Sequence, residues 1–399
     1  MSSIDFKTKS EIISREMPRI NGNNQFKAKT IVAIDGGYSS VKGVSPNKVF
    51  VFPSYAKKAP SDFSVVGKLS EDDIQYMDNK TGDIWLVGKT AEATMDQSDV
   101  DSTTDASLYT RYRYNSEVYR VIMATGLALG LMGTGEGNEI FLQTGLPSAY
   151  VNRDSAKLIQ SLCGDYDVSL KIGNTPFTRF KFSLDEEHID VMEQPKGTLN
   201  NLIYKDGKPS EIATKILKSS VVVLDIGFGT SDIFAFKNSI MTGHPTETDT
   251  AMKSVFDLAL KKISEEYPVD TKIFELQKYL TEGHIPYMDM DSDEYKMRYI
   301  EIAPYIEAAN KELCEKEIAK LMQAYEGLKD YQYLVVTGGT GESRLEMIKA
   351  KLAGIPHLTV LAGNVNTPDL SCVYSNVLGY YAFRHAKMMS EAKKAAAGA

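Results

Sequence analysis

The feature that most constrains the fold is a strand–loop–strand pattern that occurs in both halves of the chain. Residues 31–40 read IVAIDGGYSS, in which an apolar run ends on Asp35 and is followed at once by two glycines. Residues 221–232 read VVVLDIGFGTSD, in which a second apolar run ends on Asp225 before a loop of small residues. Each segment predicts a β-hairpin. A chance origin would require the same strand–Asp–loop pattern to arise twice in one chain. Its recurrence therefore predicts two halves of similar design.

The first loop combines features that suit a bound phosphate. Gly36 and Gly37 leave no side chain between the backbone N–H groups and an anion. Ser39 adds a hydroxyl donor, and Lys42 follows Asp35 by seven residues, so the returning strand would bring its charge back to the loop. A hairpin with a Gly-Gly turn is the alternative interpretation of this stretch taken alone.

The second loop repeats the design with Gly227, Gly229 and Thr230 after its aspartate. A nucleoside triphosphate with Mg²⁺ needs anion donors on two sides and carboxylates near the water ligands of the metal. One loop of this kind is weak evidence for such a ligand, whereas two loops in separate halves are much stronger evidence.

A third glycine-rich turn follows a strand near the end of the chain. Gly338, Gly339 and Thr340 come after the apolar run YLVV and precede a predicted helix. Bare backbone at a helix N-terminus lets a flat ring or a phosphate lie against it. An ordinary strand-to-helix turn is the alternative. The turn is not a Walker motif, because no Gly-Lys-Ser/Thr follows its glycines.

Length and composition limit the class of protein. At 399 residues the chain predicts two or more domains, and its alternating strands and helices predict an α/β class. The net charge of -8 argues against nucleic acid as a direct partner. The separated cysteines fit neither a metal site nor a disulfide framework and favour a cytoplasmic location. No apolar run approaches the roughly 20 residues of a membrane span, so we expect no membrane partner.

The three loops, in this order, resemble those of the actin, heat-shock-chaperone and sugar-kinase superfamily of ATPases. Within it the chain is most similar to the bacterial and plasmid actin-like proteins of the ParM type. Four further segments carry that similarity: VFPSYAKK after the first hairpin, QTGLP at 143–147, VMEQPKG at 191–197 and YSNVLGYYAF at 374–383. The resemblance covers about residues 30–388.

The resemblance implies an α/β, actin-like (ribonuclease H-like) fold of two domains with a nucleotide cleft between them. We expect the following parts in chain order: a surface extension at 1–29, domain I at 30–195 with a small subdomain at about 50–110, domain II at 196–367, and a C-terminal helix at 368–399 that packs back on domain I.

The resemblance also implies the site. Asp35 and Asp225 would hold Mg²⁺ through water. The implied contacts to ATP or GTP are the first loop (Gly36, Gly37, Tyr38, Ser39, Lys42), the second loop (Gly227, Gly229, Thr230 with Asp225) and the adenosine turn (Gly338, Gly339, Thr340). Ribose contacts in this superfamily often come from a helix with Glu and Lys three residues apart, a spacing that Glu275 and Lys278 share; such pairs are otherwise solvated helix charges.

The residue that positions the hydrolytic water falls on Gln194, with Glu193 as the alternative. An amide orients water but cannot take its proton, whereas a carboxylate does both. Gln194 in this role would make hydrolysis slow. Slow hydrolysis suits a protein that uses the reaction to time an event better than it suits a metabolic enzyme. The alternative is that both are simply polar residues on a crossover.

The function implied by the resemblance is that of an ATPase that forms nucleotide-dependent filaments. Such proteins segregate plasmid DNA through a separate DNA-bound adaptor protein, and their main partner is a further copy of themselves. A monomeric phosphotransferase of the sugar-kinase branch is the alternative. That branch usually shows an aspartate general base in a substrate pocket, and the sequence offers no clear candidate for it.

Overall fold

The computed structural model describes residues 3–20, 28–60, 69–95, 111–135, 137–237, 240–243, 249–290 and 295–397. Parts of two predicted segments, 21–27 of the extension and 61–68 and 96–110 of the small subdomain, lie outside these ranges. Within the ranges no helix is both long and apolar enough to cross a membrane.

Strands and helices alternate along the described chain. The strands are β1 (Glu11–Ser14), β2 (Lys29–Gly36), β3 (Ser40–Ser45), β4 (Lys48–Pro53), β5 (Ala56–Lys58), β6 (Ile74–Asp78), β7 (Ile84–Val87), β8 (Glu139–Leu146), β9 (Gly164–Ile172), β10 (Thr178–Leu184), β11 (Ile189–Glu193), β12 (Tyr204–Lys205), β13 (Lys208–Pro209), β14 (Val221–Ile226), β15 (Ser231–Lys237), β16 (Ile240–Gly243), β17 (His284–Asp289), β18 (Lys296–Glu301), β19 (Tyr333–Thr337) and β20 (Thr359–Ala362). The α-helices are α1 (Lys89–Thr94), α2 (Glu117–Leu131), α3 (Val151–Leu162), α4 (Gln194–Ile203), α5 (Ala213–Lys218), α6 (Met252–Glu266), α7 (Ile273–Tyr279), α8 (Ala303–Ala324), α9 (Gly339–Leu352) and α10 (Ser375–Ala397).

The two halves of the chain contain the same five-stranded arrangement. The first sheet has the order β1-β4-β3-β2-β8-β11, and the second has the order β16-β15-β14-β19-β20. In each half an antiparallel three-stranded meander is followed by two parallel strands, so β2, β3, β4, β8 and β11 correspond to β14, β15, β16, β19 and β20. This duplication confirms the predicted two-domain α/β fold.

Helices cover both faces of each sheet, which explains why the central strands are apolar along their whole length. On the first sheet, side chains of β2 alternate between a cluster with α2 and a cluster with α10. On the second sheet, side chains of β14 alternate between a cluster with α8 and α9 and a cluster with α4 and α5. The two hairpins that carry Asp35 and Asp225 are therefore held in the middle of buried sheets.

Each half also carries a smaller unit. In the first half, β10, β9, β6, β7 and β5 form a separate sheet in that order. The prediction placed this subdomain at about 50–110, but residues 164–184 supply two of its strands because β9 pairs with the edge that β6 leaves open. In the second half, α6 and α7 pack with the β17–β18 hairpin around their own apolar cluster.

Two local expectations differ from the structure. The N-terminal extension is not only a surface arm, because Glu11–Ser14 pairs with β4 and covers the open edge of the first sheet. The sequence of residues 296–327 predicts one long helix, but residues 296–301 form β18 and the helix begins at Ala303, with Pro304 in its first turn.

The last helix of each half crosses the other at glycine. A Cβ atom on Gly379 of α10 would lie 1.7 Å from the carbonyl oxygen of Gly197 in α4. A Cβ atom on Gly197 would lie 2.6 Å from the carbonyl oxygen of Asn376. The two helices therefore touch backbone to backbone, and no larger residue fits at the crossing without separating them.

We expect Gly379→Ala to lower the free energy of unfolding by about 1–3 kcal/mol or more, because the added methyl group overpacks this crossing. Chemical denaturation followed by circular dichroism measures the change. Gly354→Ala is the matched control, since a Cβ atom there meets nothing within 4 Å. Equal stability of the two variants would contradict a tight crossing.

Candidate functional site

A single cleft between the two halves collects the predicted loops. Its lining includes Asp35, Gly36, Gly37, Tyr38, Ser39, Lys42 and Gln194 from the first half, and Asp225, Gly227, Gly229, Thr230, Gly338, Gly339 and Thr340 from the second. These residues are far apart in sequence, and they meet because both hairpins point their turns toward the same gap.

The first loop places a cation beside its carboxylate. Asp35 and Lys42 are directly opposite each other in the β2–β3 ladder. The Nζ atom of Lys42 lies 3.4 Å from Oδ2 of Asp35, and a Cβ atom on Gly37 would lie 2.7 Å from the same Nζ. Glycine at this position therefore leaves room for the lysine ammonium at the tip of the loop.

Arg113 holds the first loop in place. Its guanidinium donates hydrogen bonds to the carbonyl oxygens of Gly37, at 2.7 Å, and of Gly36. The same guanidinium lies 4.2 Å from the centre of the Tyr38 ring. The buried side chain of Arg113 therefore positions the first loop through the carbonyl oxygens of the loop. The sequence patterns do not predict this role.

Tyr38 joins the two loops. A Cβ atom on Gly229 would lie 2.6 Å from Cδ2 of Tyr38, so the ring packs directly on the backbone of the second loop. The guanidinium of Arg113, 4.2 Å from the centre of the same ring, also limits how far the ring can move. The tyrosine therefore sets the separation of the loops at this point of the cleft.

The second loop carries two carboxylates where the first carries a carboxylate and a lysine. Asp225 and Asp232 are directly opposite each other in the β14–β15 ladder. Oδ1 of Asp232 accepts a hydrogen bond of 3.0 Å from the backbone N–H of Ser148, which belongs to the first half. Burial raises the pKa of the Asp225 carboxyl to about 7; the Asn376 hydrogen bond opposes this shift, and the carboxylates of Asp232 and Asp35 add to it.

Each cleft aspartate accepts a hydrogen bond from an amide at the start of a crossing helix. Nε2 of Gln194, the first residue of α4, donates to Oδ1 of Asp35 at 2.9 Å. Nδ2 of Asn376, the second residue of α10, donates to Oδ2 of Asp225 at 2.6 Å. Because α4 and α10 are the last helices of their halves, these two pairs occupy equivalent positions in the duplicated fold.

The third turn lies against the second hairpin. Gly338 has φ of 80°, and a Cβ atom there would lie 2.4 Å from the carbonyl oxygen of Ile226 and 2.6 Å from Oδ1 of Asp225. Both the backbone conformation and the lack of space require glycine. The Thr340 hydroxyl donates to the carbonyl oxygen of Gly227 at 2.7 Å, which ties the turn to the second loop.

The structure does not bring Glu193, Glu275 and Lys278 into the cleft lining. Glu193 forms an ion pair of 2.7 Å with Lys196 one helical turn away. Glu275 accepts a hydrogen bond from the backbone N–H of Lys272 and so caps its own helix, α7. Lys278 donates to the carbonyl oxygen of Met95, so it joins α7 to the first half instead of facing a ligand.

Three residues beside the loops, Asn376, Asp232 and Arg113, were not among the residues predicted from the sequence. The duplication contains a signal for Asp232, because it follows Asp225 by the same seven residues that separate Lys42 from Asp35. Asn376 lies in the segment that carries the family resemblance, but no local pattern links it to Asp225. Arg113 follows a polar stretch that gave no sign of its burial.

Comparisons with known proteins agree with this geometry. Residues 33–197 match the family model for the N-terminal domain of actin-like proteins. A non-polymerisable quadruple mutant of pCBH ParM matches with a TM-score of 0.66 and 20% identity over 89% of this chain and 99% of that one. The chain has an actin-like fold. The sequence-based resemblance to ParM-type proteins is thereby confirmed.

Two further solved structures show the range of similar chains. A 15-stranded ParM filament from Clostridium botulinum matches with a TM-score of 0.65 and 20% identity over 89% of this chain and 98% of that one. An archaeal actin homolog in complex with ADP matches with a TM-score of 0.57 and 13% identity over 89% and 99%. Among curated protein sequences, none matches.

We expect Asn376→Ala to lower the free energy of unfolding by about 1–3 kcal/mol, because it removes the buried donor to Asp225 and the acceptor of the Thr198 hydroxyl and N–H. Chemical denaturation measures this loss. Asn152→Ala, on an exposed position of α3, is the matched control and should change stability by less than about 0.5 kcal/mol. Similar values for both variants would show that the Asn376 bonds are not important for the fold.

Proposed function

We propose that the chain is an ATPase that binds ATP or GTP in this cleft and assembles into filaments as it does so. The observation that carries the proposal is the meeting of two strand–Asp–loop hairpins and the Gly338 turn in one gap between duplicated halves. A nucleotide placed there has backbone donors on two sides of its phosphates and a bare turn at its other end.

The residues present fit a divalent cation bound with the nucleotide. Asp35 and Asp225 face one cleft from opposite halves. In the described part of the chain no lysine or arginine forms an ion pair with Asp225. Burial raises the pKa of its carboxyl, and the carboxylates of Asp232 and Asp35 add to this shift, so a cation bound nearby would stabilise the ionised form. Among the described residues no three His, Cys, Asp or Glu side chains form a group that could hold a metal ion. A metal bound here would therefore be held mainly through water and phosphate. When bound, Mg²⁺ would offset the charge of the phosphates.

Gln194 is the residue we assign to the hydrolytic water. Its amide is fixed on Asp35 and faces the cleft, whereas Glu193 pairs with Lys196 outside it. The amide orients a water molecule but does not take its proton, and Asp35 next to it is the available acceptor. Hydrolysis with this arrangement would be slow, and slow hydrolysis lets a filament persist before it weakens.

The biological role we propose is the movement or segregation of plasmid DNA through an adaptor protein. Identical subunits in head-to-tail contact form open helical polymers. The similar ParM from Clostridium botulinum is described as a 15-stranded filament. The net charge of -8 favours a separate adaptor over direct DNA contact.

We expect light scattering of the purified chain to rise after ATP or GTP is added with Mg²⁺, and the protein to sediment on ultracentrifugation. Nucleotide binding across the cleft fixes the relative position of the halves and so the surfaces that meet in a polymer. EDTA should abolish both signals. A failure to polymerise with either nucleotide, combined with phosphate transfer to a small acceptor such as a sugar, would overturn the filament proposal in favour of the phosphotransferase alternative.

We expect Gln194→Ala to slow nucleotide hydrolysis by about a hundredfold, because the attacking water loses its positioning group. Polymer should still form and should disassemble more slowly, as measured by phosphate release and light scattering on the same sample.

Two matched variants sharpen this test. Gln160→Ala removes an exposed glutamine of α3 away from the cleft and should hydrolyse nucleotide at the wild-type rate. Glu193→Gln removes the alternative carboxylate. A large loss of hydrolysis in Glu193→Gln with little loss in Gln194→Ala would move the assignment to Glu193.

A further inference from the structure

The N-terminal residues 5–9 lie at the cleft. We call them the strap. Each of Asp5, Phe6, Lys7, Thr8 and Lys9 belongs to the cleft lining, together with Glu11 at the start of β1. The sequence DFKTK carries no glycine-rich or nucleotide-binding pattern, and its position could not be inferred from the three loops.

One end of the strap is fixed to the first half. β1 follows it directly and pairs with β4 in the first sheet. Oε1 of Glu11 also accepts a hydrogen bond of 2.8 Å from the Tyr374 hydroxyl, in the short turn that leads into α10. The C-terminal end of the strap is therefore fixed to the edge of the first sheet.

The other end of the strap contacts the second half. Phe6 packs against the apolar cluster of α6 and α7, which includes Phe256, and Phe228 of the second loop packs against the same cluster. The Nζ atom of Lys7 donates to the carbonyl oxygen of Gln277 in α7 at 3.2 Å. The strap thus runs from the first half, past the cleft, to the smaller unit of the second half.

Lys7 also contacts the small subdomain of the first half. Its Nζ atom lies 3.6 Å from Oε2 of Glu92 in α1, and Glu92 is buried with 4% of its surface exposed. Gln277 in turn accepts a hydrogen bond of 2.8 Å from the Tyr55 hydroxyl, from the same side of the cleft as α1. Lys7 therefore connects α1 of the first half to α7 of the second half at this edge of the cleft.

We propose that the strap is part of the nucleotide site and covers its mouth, so that a nucleoside diphosphate or triphosphate leaves only after the strap is displaced. This inference rests on the proposed nucleotide binding. The other strap residues would border the bound ligand, while Phe6 and Lys7 hold the strap in place. Loss of these anchors exposes the mouth and speeds release.

The test is the release rate of a fluorescent ADP analogue from the full chain, measured by stopped-flow displacement with excess unlabelled ADP and Mg²⁺. Phe6→Ala and Lys7→Met should each raise the release rate by about tenfold, since changes in affinity appear mainly in dissociation. Glu92→Gln should act in the same direction, because it removes the partner of Lys7 without altering the strap itself.

The matched controls are Phe177→Ala, on an exposed turn between β9 and β10, and Lys157→Met, on the exposed face of α3. Both should release the analogue within about twofold of the wild-type rate. Unchanged release in Phe6→Ala and Lys7→Met, or equal acceleration in the controls, would overturn the strap proposal while leaving the nucleotide site intact. A wild-type chain that binds no analogue would instead overturn the proposed function.

Discussion

The contact on which the site depends is the crossing of α4 and α10 at Gly197 and Gly379. It lets two backbones touch at the boundary between the halves. Each helix begins beside the cleft and places an amide on one aspartate, Gln194 on Asp35 and Asn376 on Asp225. Because the crossing fixes both helix starts relative to each other, it also fixes the two amide–carboxylate pairs. A separation of the helices would therefore displace both amides and both aspartates, although none of these residues lies at the crossing itself.

The duplicated hairpins and their aspartates could be predicted from sequence because both are local features. An apolar run, an acid and a small-residue loop are all visible within about ten residues. The same holds for the Gly338 turn, where a strand precedes a helix. These features were enough to predict the α/β class, the two halves and the three loops that meet in the cleft.

The remaining site residues depend on contacts between distant segments. Asn376 reaches Asp225 only because α10 returns to the middle of the fold, and Arg113 reaches the first loop from a segment that carries no motif. Glu275 and Lys278 illustrate the opposite error. Their spacing is correct for a ligand contact, but α7 is turned so that they serve a helix cap and an interdomain bond. Spacing along a helix gives two side chains a common face and does not say what that face meets.

The duplication is symmetric in backbone and asymmetric in charge. The position opposite the aspartate is Lys42 in the first hairpin and Asp232 in the second. A lysine beside Asp35 compensates its charge. At Asp225 burial raises the pKa, and the facing carboxylate of Asp232 adds to the shift, so this side of the cleft favours a cation nearby. Two halves with the same charged residues would present the same charges to both sides of a ligand in the cleft. This difference of one charged residue puts a lysine on one side of the cleft and a pair of carboxylates on the other, an arrangement that fits the proposed nucleotide with its metal.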